Sequence, residues 1–98
     1  MIIEYVPGKG LALVEADDFK SFKLRLRDTP ERRPSLPDIA FVDDVNVLID
    51  IEAATRLPGA PDTDAWRSGF GKMVVYAATK GWIDAATNSI RAHVERIP

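Results

Sequence analysis

In the stretch FKLRLRD, Phe22, Leu24 and Leu26 alternate with Lys23, Arg25 and Arg27. A period of two puts the apolar side chains on one face of a strand and the basic ones on the other. The segment 20–27 is therefore predicted to be a half-buried strand with a basic outer face. A helix built on Phe19, Phe22 and Leu26 is the rival, and it leaves Leu24 on the wrong side. The same alternation returns in SIRAHVERIP, where Ile90, Ala92 and Val94 alternate with Arg91, His93 and Glu95. A strand over 90–96 with one wet face follows. Its rival is a short helix on Ile90, Val94 and Ile97, with Arg91 and Glu95 as an i,i+4 pair.

Shorter runs complete the strand pattern. MIIEYV and LALVEA flank PGKG and read as a hairpin, because a Pro-Gly-x-Gly turn reverses the chain between two apolar, β-branched segments. IAFV and NVLID flank Asp43 and Asp44 and read as a second hairpin with an acidic turn. Between the basic strand and this hairpin lies TPERRPSLPD, whose three prolines withdraw backbone donors and enforce a loop. Residues 28–36 are expected to be the most mobile internal segment. Asp50 is placed to cap a short helix in IEAATRL, which ends before Pro58 and Gly59.

Helical spacing is clearest in PDTDAWRSGFGKMVVYAATKGW. Trp66, Phe70, Met73, Val74, Ala77 and Ala78 form one stripe. Asp62 or Thr63 serves as N-cap, Asp64 suits the first turn, and Lys80 with Gly81 closes the element. A long helix over about 63–81 follows, with Trp66 and Phe70 buried. Gly69 and Gly71 cost about 1 kcal/mol each relative to alanine inside it, so something is expected to approach closely there. DAATN reads as a turn before the last strand. The pattern as a whole predicts an α+β fold: an antiparallel sheet of five or six short strands, the long helix packed on one face, and a final strand returning to the sheet.

Ninety-eight residues fit a single domain, 1–98, and 46% apolar with 29% charged residues is ordinary for a soluble globular chain. So short a chain buries about two-thirds of its unfolded surface, which makes a homodimer a reasonable means of adding burial and protecting sheet edges. No cysteine is present, which removes disulfides, thiolate metal sites and cysteine nucleophiles. No apolar run approaches the ~18 residues of a membrane span, and the N-terminus has no basic, signal-like region. The expectation is a cytoplasmic protein without membrane contact.

Net charge is -2, unevenly spread: 20–33 is basic and 38–52 acidic. Lys23, Arg25 and Arg27, with Arg32 and Arg33 nearby, are candidate anion-binding residues. Nucleic acid is not the expected partner, because Phe19 and Phe22 point inward, leaving no stacking aromatics, and the pI is about 5.3. The single histidine, His93, stands between Arg91 and Glu95 on one strand face, with successive side chains about 7 Å apart. A base, a carboxylate to orient it and a cation to hold an anion make these three the candidate catalytic residues. The competing account is an ordinary solvated strand face or a dimer contact.

The remaining motifs carry no chemistry. VDDVN lacks the spaced acids and terminal glutamate of a calcium loop. PGKG and GFGK do not fit a phosphate loop. Ser21, Ser35, Ser68 and Ser89 lack a nucleophile-elbow context. No metal or cofactor is expected. Two functions remain: a small soluble binding or accessory protein, acting as a homodimer, with a small anionic molecule as one possible ligand; or a small enzyme acting on an anionic organic molecule, with His93 as general base and arginines as clamps.

Overall fold

The computed structural model describes all residues, 1–98. Seven strands and two helices follow one another as β1 (Ile2–Val6), β2 (Gly10–Val14), β3 (Lys23–Arg27), β4 (Ile39–Phe41), β5 (Asn46–Asp50), α1 (Ile51–Ala54), α2 (Asp64–Thr79), β6 (Ile83–Asp84) and β7 (Ser89–Ile97). Both alternating stretches are strands, and both predicted hairpins form.

The sheet is nevertheless mixed rather than antiparallel, and it has seven strands rather than five or six. Its order is β2-β1-β3-β7-β5-β4, with β6 added against β7, and it curls into a half-barrel. β1–β2, β4–β5 and β5–β7 are antiparallel, but β1–β3 and β3–β7 are parallel. The physical reason lies in the connection 15–22. It carries the chain from the outer strand β2 back past β1, so β3 starts at the same end as β1. The seventh strand, β6, is two residues long and has no alternation to reveal it.

Leu24 and Leu26 of β3, Val47 and Ile49 of β5, and Ile90 and Ala92 of β7 share the inner face and are buried. α2 lays Trp66, Phe70, Met73 and Ala77 into the same cluster. Trp66 stacks on Phe70 at 5.3 Å between ring centroids. Its indole N–H donates to the Ala16 carbonyl at 2.8 Å, so the buried ring keeps a partner for its one polar atom.

The helix ends obey local chemistry. Thr63 Oγ1 accepts from the Trp66 N–H at 3.1 Å, and Asp50 Oδ1 from the Ala53 N–H at 2.9 Å. At the other end of α2, Trp82 N–H reaches Ala77 O while Gly81 N–H reaches Ala78 O. That is the paired 6→1 and 5→2 closure, which needs Gly81 at positive φ, here 76°. Gly69 is explained by Phe19: a Cβ at position 69 would stand 2.5 Å from the Phe19 ring. The close approach expected there is thus made by the β2–β3 connection, and Gly71 has open space around it.

The basic and acidic stretches meet within the chain. Arg32 and Arg33 of the proline-rich loop both bind Asp44, at 2.9 and 2.6 Å, and Leu36 of that loop is buried. No helix is long and apolar enough to cross a membrane.

Candidate functional site

One edge of β7 serves two neighbours in succession. β6 pairs with Ser89 and Ile90, and Arg91 N–H donates to Trp82 O at 2.8 Å. From His93 onward the same edge belongs to β3. Where β6 stops and β3 begins the two diverge, and a cleft of about 860 Å³ opens between them, roofed by α2. That volume falls in the range of small-molecule sites, roughly 300–1,000 Å³.

Each wall has an identifiable cause. The helix cap that turns the chain at Gly81 sets Trp82 beside Tyr76, edge to face at 6.3 Å. Phe19 and Phe22 arrive on the β2–β3 connection, which is anchored by Phe19 on Gly69 and by the Met1 amino group donating to Asp18 O and Ser21 O. Met73 and Ala77 form the roof. Because successive residues of β7 point to opposite faces, Ile90 and Ala92 meet α2 while Arg91 and His93 stand on the outer side. Both sets line the same opening. Asn46 and Lys23 flank His93 as its cross-strand partners on β5 and β3. One end of the cleft is therefore apolar and aromatic, the other cationic and hydrogen-bonding.

The six predicted site residues divide between this cleft and an ion network beside it. Arg91, His93 and Lys23 line the cleft. Arg25, Arg27 and Glu95 stand on the outer sheet face and are committed to one another's neighbours. Glu95 accepts from Lys23 Nζ and Arg25 Nε, each at 2.7 Å, while Glu4 receives Arg25 and Arg27 at 3.4 and 3.3 Å. The anion that meets the basic strand is thus supplied by β1 and β7 of the same chain. Glu95 is turned to Lys23 and Arg25, away from the role of orienting His93. Arg91 and His93 have no side-chain hydrogen bond or ion pair to occupy them.

Sequence reading did not single out Glu4, Tyr76 or Trp82, and it placed Lys20 only within the basic stretch 20–33. Tyr76 and Trp82 did leave a signal. Tyr76 lies off the apolar stripe of α2 and Trp82 follows the closing Lys80-Gly81, and in the fold both are exposed, at 57% and 45%. No group of three or more His, Asp or Glu side chains converges as a metal site.

The network has a measurable consequence. Hydrogen bonds from Lys23 and then Arg25 hold the Glu95 carboxyl below its usual range. A carboxyl depressed in the folded state adds stability that is fully present above its ordinary value, about 4.3, and is lost as pH falls through the folded value. The melting temperature of the native chain should fall on acidification below about pH 4. Glu95→Gln should flatten part of that fall, the rest belonging to Asp18, Asp43 and Asp44, which are also held low. Identical melting profiles from pH 7 to 2 for both proteins would show that the network does not act this way.

Compared with models of protein families, with curated proteins and with solved structures, the chain matches none.

Proposed function

We propose that the chain is a small cytoplasmic binding protein, acting as a homodimer, that takes an organic molecule into the cleft between α2 and β7. The observation that carries this is the cleft itself. It is a concavity of about 860 Å³ with an aromatic wall, a cationic rim and no acidic side chain among its fifteen lining residues. A core held together without any disulfide suits a reducing compartment. Val75, exposed on α2 and outside the cleft, supplies apolar surface for a second copy.

A second function, catalysis on an anionic organic molecule, is favoured by His93 and Arg91 standing together on the cleft wall. What it lacks is an oriented base, since Glu95 is occupied by Lys23 and Arg25. Binding needs no such partner, and we favour it.

The test is titration with an environment-sensitive apolar dye, 1-anilinonaphthalene-8-sulfonate, on native protein and on Ala77→Trp, which fills the roof. Saturable binding at one site per chain, lost in Ala77→Trp while the melting transition persists, is expected. Equal binding by both proteins would move the site elsewhere. If Ala77→Trp does not fold, Tyr76→Ala at the exposed mouth replaces it, with at least a threefold weakening expected. A bound dye recovered unaltered supports binding, and a converted one supports catalysis. Light scattering at high micromolar concentration should return twice the chain mass, and a monomer mass would remove the dimer.

A further inference from the structure

The cleft's chemistry specifies its ligand more closely, on the footing that the cleft is the binding site. We propose that it is selective for an aromatic carboxylate, with the carboxylate held by Arg91 and His93 and the ring seated among Phe19, Phe22 and Trp82.

The charge comes first. Arg25, Arg27, Arg32, Arg33 and Arg67 each hold a carboxylate of the chain, and Arg96 donates to the Asp44 carbonyl. Arg56 and Arg91 do neither, and of these two only Arg91 lines the cleft. Its influence on Asp43 is a minor one, because that carboxyl is held low first by the Val45 N–H and then by Asn46. A guanidinium offers two parallel N–H donors whose spacing matches a carboxylate. The His93 imidazole stands two residues along the same face and adds a further donor. Lys20 reinforces the sign at the rim. One free arginine fork with one imidazole suits a monoanion. Phosphate sites draw on clusters of arginine or on rows of backbone N–H groups.

The apolar part follows from the strand. Ala92 sits between Arg91 and His93 in sequence but on the opposite face, and it is among the smallest side chains in the cleft wall. Beside it, between the Trp82–Arg91 contact and the Lys23–His93 pair, this edge of β7 has no neighbouring strand, and the cleft there is lined by Met73 and Ala77 as well as by Arg91 and His93. Phe19 and Phe22 arrive beside β3 and Trp82 beside β6, and all three line the same cleft. Aromatic side chains so placed favour a planar ring over a flexible chain, through offset or edge contacts at centroid separations of about 4.5–7 Å.

The experiment uses three probes with one body: 2-naphthoate, its neutral 2-naphthamide, and cationic 2-naphthylmethylamine. Binding is measured by calorimetry, and the imidazole resonances of the only histidine report on the head group. The carboxylate should bind at least tenfold more tightly than the amide, and the amine least. Only the carboxylate's affinity should fall as salt is raised from 20 to 500 mM, because screening acts on the charged pair. Arg91→Gln should remove the tenfold preference, lowering carboxylate affinity far more than amide affinity. Arg91→Lys should restore part of it, the charge returning without the fork. Naphthyl phosphate binding more tightly than naphthoate would overturn the carboxylate assignment. Equal affinity for acid and amide would overturn the selectivity while leaving the cleft as a binding site. Failure of all three probes, together with failure of the dye, would remove the cleft itself.

Discussion

Phe70→Ala should lower stability by about 3–5 kcal/mol, the range for removing a buried ring from a packed core. Phe70 is only 4% exposed, and its ring lies nearly parallel to that of Trp66, at 19°. Truncation leaves a void beneath the indole, whose N–H remains tied to Ala16. The helix therefore cannot shift to fill the space without breaking that bond. A domain of this kind holds roughly 5–15 kcal/mol in all, so the loss approaches the whole in the least stable case. Urea unfolding followed by tryptophan fluorescence measures it. Phe70→Leu, which keeps most of the volume, should lose about 1 kcal/mol and remains measurable if the alanine variant does not fold. A loss below about 1 kcal/mol for the alanine variant would mean that the stripe on α2 is not the core contact.

The second large effect is expected at Gly59. Its φ is 94°, and a Cβ there would collide with the backbone carbonyl oxygen of Leu13 in β2. Neighbouring Pro58 accepts from the Leu13 N–H at 2.7 Å, so the Pro58–Gly59 turn seals the outer edge of β2. Gly59→Ala should cost about 2–4 kcal/mol. About 1–2 of this is the left-handed backbone, and the remainder is the hydrogen bond that the collision pushes apart. Gly8→Ala is the control, since Gly8 also has positive φ, 84°, but nothing within 4 Å of its Cβ position. Equal losses for the two variants would show that the turn yields and that the close approach carries no energy.

Alternation was a reliable guide to faces. Leu24 and Leu26 against Lys23, Arg25 and Arg27, and Ile90 and Ala92 against Arg91 and His93, fall as the period of two requires. It is silent about neighbours. Nothing in FKLRLRD distinguishes a strand parallel to IIEYV from one antiparallel to it, because the same side chains face the core in either case. Direction depends on how the connection 15–22 runs, and its course is set by Phe19 docking on Gly69, a contact between residues fifty positions apart. The candidate site was legible to the same extent. Arg91 and His93 stood out by their chemistry, and both line the cleft. The partners that neutralise Arg25 and Arg27 come from Glu4 and Glu95, which only the parallel pairing of β1, β3 and β7 brings alongside. The cleft has no signature of its own, being a gap between two strands that share an edge.

β7 also bears on the order of events during synthesis. It joins β3, β5 and β6, and all three precede it in the chain. Arg25 and its partner Glu95 lie 70 positions apart. Such distant pairings close late, because the loop entropy is lost before the contact compensates for it. Until β7 emerges from the ribosome, β3 and β5 each present an unpaired edge backed by apolar residues. A nascent chain in that state is open to association with its neighbours. The cleft, too, is absent in this interval, because Arg91, Ala92 and His93 supply one of its walls and arrive only with β7.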